Sequence, residues 1–353
     1  MAKGDLTNMK KKVFALFLAA AMALGVTACG ASSEPKTQSE QDAVNDAAQL
    51  EDFTLVLDWY PNAIHGFLYD AIEKGYFAEE GLNLVIQFPS NTNDGISLPA
   101  AKKADAGMYY LQDAILTAVE EDVPVVSIGA IVQEPLNVVM SLEESNIKEP
   151  KDLVGKKIGY GGTVLAEAQM NAILENAGLT TDDCEFIDVG FDLMSALTTG
   201  QVDATTGNMV NHEVPQMEEQ GFAVNYFYPT EHGVPSMYEM VFLANKDAVA
   251  QNPEKYQKFL RACQKGFADM KQNPDEVLQI LLDNQNEANF PLSENVERKS
   301  MEILLPVMET ENGKFLQQEE SVWQQNADWL YEKGILSEKT DVSDMVVNVL
   351  ETE

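Results

Sequence analysis

The feature that most constrains the fold is a regular alternation of short β-rich runs with helical stretches. Alternation of this kind is typical of βαβ units, in which helices cross between parallel strands. The sequence therefore predicts an α/β fold with mostly parallel sheets flanked by helices. The predicted strands lie at 53–58, 83–88, 105–109, 124–132, 156–160, 185–189, 202–206, 223–228 and 238–244.

The C-terminal hundred or so residues have a different, helical pattern. Asn252 and Asn273 are each followed by proline, as expected of a helix N-cap with proline at the first helical position. Amphipathic stretches follow at 294–304 and 319–332. We expect a helical C-terminal region after the last strand.

Two places predict crossings between lobes. Near 140–145 an apolar, strand-like run at 136–140 gives way to a polar stretch, and near 233–238 the chain approaches another apolar strand. The sequence thus predicts a first lobe made of 53–141 and 237–353, with a second lobe, 142–236, inserted into it. Two strand crossings would form a hinge.

The N-terminus has the layout of a secretory signal peptide at 1–28. A basic cluster, Lys10 to Lys12, precedes an apolar run at 13–26, which is shorter than the ~20 residues of a membrane-spanning helix. The sequence Val-Thr-Ala-Cys resembles a bacterial lipobox, so Cys29 is the predicted lipidation site; ordinary cleavage beside an incidental cysteine is the alternative. The polar stretch 29–52 is predicted to be a flexible, lipid-anchored tether.

Charge and cysteine content narrow the possible partners. The formal net charge is −34, which repels phosphate backbones and argues against nucleic-acid binding. Beyond Cys29, only Cys184 and Cys263 remain, and we expect both to be free thiols rather than a disulfide. Neither belongs to a metal-ligand pattern, and we expect no metal and no cofactor.

A first candidate site follows the strand at 53–58. In open α/β sheets, ligands bind at the carboxyl ends of strands. Trp59 could stack on a planar heterocycle, Asp58 could accept from an amino group, and Asn62 and His65 could orient ring nitrogens. The alternatives are that Trp59 lies in the core, Asn62 is a turn residue and His65 is a buried histidine at a helix start.

Further candidates follow other predicted strands. Gly162 and Thr163 precede a helical stretch at 164–177, where free amides could meet a ligand oxygen; an ordinary glycine turn with a threonine cap is the alternative. Tyr109 and Asp113 follow the run at 102–107, where a predicted strand ends, and Asn208 follows 202–206.

Tyr238 and Glu239 lie at the return crossing and are expected to face the cleft. Glu239 could hold an amidine-like ring edge by two hydrogen bonds. The alternative is a hinge carboxylate that pairs with Lys or Arg.

Several segments resemble one family. Asp58-Trp-Tyr-Pro-Asn-Ala-Ile-His65, together with Gly-Tyr-Phe at 75–77 and Asp-Leu-Val-Gly-Lys-Lys-Ile-Gly-Tyr at 152–160, is similar to solute-binding proteins for thiamine pyrimidine precursors. These belong to a superfamily with sulfonate, nitrate and riboflavin binding proteins.

The resemblance implies a two-lobed, type II periplasmic-binding-protein-like fold. It also implies a monomer, lipid-anchored outside the cell, that delivers a small planar heterocycle to an ABC permease. A thiamine pyrimidine precursor is the leading ligand, riboflavin is the next, and a sulfonate or nitrate would need basic pocket residues.

An enzyme of the same fold is the competing hypothesis. Eukaryotic thiamine pyrimidine synthases resemble this chain, and the resemblance implies a lysine that holds pyridoxal phosphate and a histidine that is consumed. Tyr109 stands at the lysine position and Asp113 at the histidine position. Because tyrosine cannot form a Schiff base, we expect binding without catalysis.

Overall fold

A computed structural model describes residues 50–190, 192–285 and 291–350, all within one compact unit, Ala48–Glu353. The predicted signal peptide, Cys29 and the predicted tether up to residue 49 lie outside the described residues. The first strand begins at Glu51, two residues before its predicted start at 53.

Ten strands form two five-stranded sheets. Every predicted β-rich run overlaps a strand, as does the apolar run at 136–140. The strands are β1 (Glu51–Val56), β2 (Leu82–Gln87), β3 (Ala106–Tyr109), β4 (Val125–Val132), β5 (Asn137–Leu142), β6 (Lys157–Tyr160), β7 (Glu185–Asp188), β8 (Ala204–Met209), β9 (Val224–Phe227) and β10 (Met240–Asn245).

Helices lie between most strands and make up the C-terminal region. They are α1 (Gly66–Glu73), α2 (Tyr76–Glu79), α3 (Asp94–Ala100), α4 (Leu111–Glu120), α5 (Val164–Asn176), α6 (Leu193–Thr198), α7 (Glu213–Glu219), α8 (Lys246–Gln251), α9 (Pro253–Gln272), α10 (Pro274–Asp283), α11 (Glu294–Met308) and α12 (Glu320–Glu332). Short 3-10 helices include Ala63–His65, just before α1. None of the described helices is both long and apolar enough to span a membrane.

The two sheets have the same arrangement of strands. The first has the order β2-β1-β3-β10-β4 and the second has the order β7-β6-β8-β5-β9. In each, three strands pair in parallel, and a fourth, β10 or β5, pairs antiparallel to both of its neighbours. The prediction of α/β sheets flanked by helices is confirmed, and each sheet is mixed only because one strand of its five, β10 or β5, runs against the others.

The reversed strands are the two that follow the crossings. The chain leaves the first sheet after Val132 and enters the second at Asn137. It leaves the second sheet after Phe227 and returns to the first at Met240. The run at 136–140 therefore belongs to the second sheet, and the first crossing precedes the predicted boundary at 141/142. The division into two lobes remains a prediction.

The core beside the first sheet is aromatic and closely packed. Phe53 of β1 stacks on Phe259 of α9, with 4.2 Å between the ring centroids. Gly266 lets α9 approach α1, because a Cβ atom at this position would lie 2.2 Å from the Phe67 carbonyl oxygen. This packing fixes α1, and with it the 3-10 helix that begins after Asn62.

The C-terminal helices begin where their sequence signals predict. The Asn252 side chain accepts a hydrogen bond from the Lys255 amide at the start of α9, and Asn273 is the N-cap of α10 without such a bond. Cys184 is half-buried, Cys263 is buried in α9, and both are free thiols. The C-terminal region is therefore helical, as predicted.

Candidate functional site

The carboxyl end of β1 carries a hydrogen-bonded chain of side chains. The Asn62 amide donates to His65 Nδ1 at 3.1 Å, which leaves the proton on Nε2. That nitrogen donates to Asp58 Oδ1 at 2.9 Å, and the Tyr110 hydroxyl donates to Asp58 Oδ2 at 3.4 Å. His65 is fully buried, so in this conformation it positions Asp58 and has no ring nitrogen left for a ligand.

Trp59 and Tyr60 form an aromatic rim beside Asp58. Trp59 is 41% exposed, so the alternative that it lies in the core is wrong. Its ring meets Tyr60 edge-on at 5.7 Å, and Tyr60 in turn leans on Phe88 at 6.1 Å. Asn62 has the local role foreseen as the alternative: its Oδ1 accepts from the Ile64 amide and its Nδ2 donates to the Tyr60 carbonyl.

The carboxyl end of β3 brings a second carboxylate to the same region. Asp113 lies in the first turn of α4, and its side chain makes no hydrogen bond to any other described residue. Burial raises the pKa of Asp113 to about 6 and that of Tyr109, its neighbour, to about 12. A half-buried carboxylate without a donor is an acceptor available to a ligand.

Four carboxylates influence the pKa of the Tyr110 phenol through their charge. Burial is the main reason that the pKa of Tyr110 is raised well above its usual value, and the charges of Asp58, Glu239, Asp113 and Glu213 add to it. Glu213 comes from the second sheet, at the start of α7. Charges from both sheets therefore act on this phenol.

Glu239 connects the two segments of chain that cross between the sheets. Its buried carboxylate accepts from the Leu136 amide at 2.6 Å and the Asn137 amide at 3.2 Å. Burial raises the pKa of Glu239 although both amides oppose this. Glu239 stands just before β10, and its partners are backbone amides rather than the Lys or Arg of the alternative interpretation. Tyr238 is buried, and its hydroxyl accepts from the Glu319 amide at 2.8 Å.

The second sheet presents three predicted residues near its carboxyl edge. Thr163 caps α5 by accepting from the Ala166 amide at 3.1 Å. Gly162 has φ +71°, and a Cβ atom there would lie 2.6 Å from an Asp188 carboxylate oxygen, so this tight turn requires glycine. Both residues are exposed, as a glycine turn with a threonine cap would be, and as a ligand-facing loop would be.

Asn208 lies inside β8 rather than after it. It is fully buried, and its amide nitrogen donates to Thr205 Oγ1 at 2.9 Å. Its Oδ1 has no hydrogen-bond partner among the described residues. A buried amide oxygen without a partner is unusual and is suited to accept from a ligand.

A groove of about 390 Å³ lies beside the aromatic rim. One wall is the segment from Trp59 to Asn62, another is α7 with the preceding His212, and the third is the start of α11. The lining residues are Trp59, Tyr60, Pro61, Asn62, His212, Gln216, Glu219, Gln220, Pro291, Leu292, Ser293, Val296 and Glu297.

Glu297 is the buried carboxylate of this groove, and the sequence analysis missed it. It is 1% exposed, and its Oε2 accepts from the Ala63 amide at 2.7 Å. Burial raises the pKa of Glu297, opposed by His212 and the Ala63 amide. The signal was a charged residue on the apolar stripe of α11, next to Val296 and one turn before Met301.

His212 was also missed, because it stands in a polar segment without a motif. Its Nε2 accepts from Gln216 Nε2 at 2.9 Å, and its Nδ1 donates to Glu213 Oε1 at 2.9 Å. Although burial lowers the pKa of His212, the hydrogen bond and charge of Glu213 raise it overall. Among the residues that the structure describes, no group of three or more His, Cys, Asp or Glu is arranged to hold a metal ion.

Comparison of the sequence with known proteins shows the family of the chain. The family model described as NMT1/THI5 like matches residues 62–277. The formylaminopyrimidine-binding protein of Halalkalibacterium halodurans is 43% identical over 300 residues, which are 85% of this chain and 89% of that protein. The 4-amino-5-hydroxymethyl-2-methylpyrimidine phosphate synthase of Aspergillus parasiticus is 28% identical over 70% of this chain and 75% of that protein.

Solved structures agree on the fold. The alkanesulfonate-binding protein of Xanthomonas axonopodis pv. citri superposes with a TM-score of 0.65 and 14% identity. The match covers 85% of this chain and 99% of that one. At this identity the likeness concerns the fold alone, which is that of periplasmic binding proteins, and it confirms the predicted fold class.

Proposed function

Because the chain belongs to the NMT1/THI5-like family, we propose that it is the extracytoplasmic solute-binding component of an ABC importer. It captures a small planar heterocycle, with a thiamine pyrimidine precursor as the leading ligand, in the cleft between its two sheets. Ligand binding draws the two predicted lobes together, and the closed form docks on the permease.

The observation that carries this proposal is the chemistry of the strand ends. An exposed aromatic ring, Trp59, follows Asp58 at the end of β1, and Asp113, just after the end of β3, has no donor from another described residue. An aminopyrimidine offers a ring face for stacking and amino hydrogens for donation. The 43% identical relative is named as a binding protein for a compound of this class.

The other ligands of the superfamily fit this site less well. Sulfonate and nitrate are anions and call for basic side chains, whereas the groove is lined by two glutamates and no Lys or Arg among its described residues. Riboflavin is flat and shares the stacking chemistry, so it remains the alternative ligand.

The alternative to a binding protein is an enzyme, the pyrimidine synthase. The resemblance puts Tyr109 where the synthases hold their lysine, and a phenol has no amine nitrogen with which to form a Schiff base. Asp113 likewise replaces the histidine. Relatives in both classes share the family, so the assignment as a non-enzyme depends on these two positions and on the more similar binding protein.

We propose an extracytoplasmic location with lipid attachment at Cys29 and a monomeric state. The support is the lipobox-like Val-Thr-Ala-Cys sequence after the apolar run. Membrane contact would then be through the lipid and the permease only.

Substitution of Trp59 tests the proposed binding mode. Loss of an aromatic contact costs about 0.5–1.5 kcal/mol beyond the buried area, which adds ~25 cal/mol per Å². Trp59→Ala should therefore weaken binding of formylaminopyrimidine by roughly 2–3 kcal/mol, about 30- to 150-fold in Kd. Trp59→Phe should retain much of the affinity because a π face remains. Calorimetric titration measures both.

Tyr331→Ala is the matched control, because Tyr331 is 42% exposed and lies on α12, which contributes no residue to the groove. Neither Trp59→Ala nor Tyr331→Ala should change the melting temperature of the unliganded protein by more than a few degrees. Near-normal affinity in a folded Trp59→Ala protein would remove Trp59 from the site.

A further inference from the structure

The groove beside Trp59 is lined by acidic side chains. Among its described lining residues are the carboxylates of Glu219 and Glu297 and no Lys or Arg. The wall also carries His212, which is hydrogen-bonded to Gln216 and Glu213 and whose pKa the Glu213 carboxylate raises. The positive charge of a protonated His212 is paired with Glu213 at 2.9 Å, so no unpaired cation stands among the described lining residues.

The two carboxylates differ in how they are used. Glu219 accepts from the Ser293 hydroxyl at 2.6 Å and lies near the surface. Glu297 is buried, uses Oε2 for the Ala63 amide, and has no hydrogen-bond partner for Oε1 among the described residues. A buried carboxylate oxygen that lines a cavity and lacks a donor is costly unless a ligand supplies one.

The remaining walls suit a cation as well. Trp59 and Tyr60 line the groove, and aromatic rings attract ammonium groups that lie within about 6 Å of the ring centroid. The groove also adjoins the proposed stacking residue directly, since Trp59 belongs to both. Trp59 and Glu297 therefore line the same groove.

We propose that this groove is a cation subsite, in which Glu297 receives a primary ammonium substituent of the bound heterocycle, with Trp59 and Tyr60 beside it. The inference rests on the proposed function and adds a charge preference to it. The protein then prefers an aminomethyl-substituted pyrimidine, which is cationic at neutral pH, to its hydroxymethyl counterpart.

The test uses two probes that differ in one group. They are 4-amino-5-hydroxymethyl-2-methylpyrimidine, the pyrimidine in the name of the related synthases, and its 5-aminomethyl analogue. Each is titrated at pH 7.5 into the wild type, Glu297→Gln and Glu302→Gln. Glutamine can still accept from the Ala63 amide, so Glu297→Gln removes the charge with little change in shape.

Glu302→Gln is the matched control because Glu302 is an exposed residue of the same helix. A charge-assisted hydrogen bond contributes about 1.5–3 kcal/mol, so Glu297→Gln should weaken the aminomethyl probe about 10-fold or more. The hydroxymethyl probe should change less than threefold, and Glu302→Gln should move neither probe by more than threefold.

If Glu297→Gln weakens the binding of both probes equally, Glu297 acts only through Ala63 and the inference is overturned. If the substitution changes the binding of neither probe, the inference is also overturned. A wild type that binds formylaminopyrimidine but not the aminomethyl probe also contradicts the cation subsite while leaving the proposed function intact. A wild type that binds none of the three compounds contradicts both.

A second measurement does not depend on the folding of a variant. Salt screens charge pairs, so raising the ionic strength should weaken wild-type binding of the aminomethyl probe more than that of the hydroxymethyl probe. Identical salt dependence of the two probes would contradict the inference.

Discussion

At the scale of single residues, the cleft carboxylates differ in how many donors the protein gives them. Asp58 receives two side-chain donors and Glu239 two backbone amides, whereas Glu297 receives one amide and Asp113 none from another described residue. A carboxylate has about four acceptor sites, so the last two have the most capacity left for a ligand. Asp58 and Glu239 instead hold the loops in place.

Asp70 is a buried carboxylate that is not one of the candidate ligand-binding residues. It is fully buried in α1, and neither side-chain oxygen has a hydrogen-bond partner among the described residues. Burial first, and then the nearby charge of Asp269, raises the pKa of Asp70 to about 7, although Lys74 opposes this. The folded protein thus holds a proton on Asp70 to a higher pH than the unfolded chain does.

The raised pKa of Asp70 makes the stability of the fold depend on pH. Between the unfolded pKa of about 4 and the folded pKa of about 7, folding takes up a proton, so stability falls as pH rises through this window. Asp70→Asn removes the buried charge and should raise the free energy of unfolding by about 1–3 kcal/mol at pH 8 and by little at pH 5. Urea unfolding at both pH values measures the difference.

Asp247→Asn is the control, because Asp247 is an exposed residue that faces Lys102 at 3.5 Å. This substitution should change stability by less than about 0.5 kcal/mol at either pH. A stability difference for Asp70→Asn that is the same at pH 5 and pH 8 would exclude the proposed titration.

Residues that follow strands were the ones that the sequence could identify. Asp58, Trp59 and Asp113 follow β1 or β3 and Tyr109 ends β3, and the rule that ligands meet strand ends selects them. Glu297 could not be placed in the same way, because it reaches the cleft from a helix more than 200 residues later in the chain. Only tertiary packing brings such a side chain to the Ala63 amide.

At the scale of secondary-structure elements, hydrophobic periodicity and turn residues predicted the strands and helices but not the sheet to which each strand belongs. The run at 136–140 is apolar like β4, and both are buried, so composition does not distinguish the sheet to which it belongs. Its pairing with β8 and β9 decides this, and such long-range pairing has no local sequence signal. The same reasoning explains why the antiparallel direction of β5 and β10 was missed.

The N-terminal segment has one testable residue. If Cys29 is the lipidated first residue of the mature protein, Cys29→Ser should shift the protein from the membrane fraction to the soluble extracytoplasmic fraction. Immunoblotting of separated fractions measures this, with Cys184→Ser as a control that should stay with the membrane. Membrane association that is unchanged in Cys29→Ser would contradict lipid attachment at this position.

At the scale of the whole described unit, the two sheets are joined at the crossings and at both flanks. Glu239 ties the crossings together at Leu136 and Asn137. On one flank, Gln169 of α5 donates to Gln112 of α4 at 2.8 Å. On the other, Lys299 of α11 pairs with Glu218 of α7 at 2.8 Å. A ligand that contacts both sheets would add to these contacts, which is the basis of the proposed closure.

The most direct test of the proposed function is a competition for the cleft. The purified protein, freed of bound small molecules by partial unfolding and refolding, is equilibrated with equimolar formylaminopyrimidine, riboflavin and a small alkanesulfonate, and the complex is weighed by native mass spectrometry. We predict a single species with one formylaminopyrimidine per chain, and its loss in Trp59→Ala. Retention of riboflavin or the sulfonate instead, or of no compound by a folded protein, would contradict the proposed function.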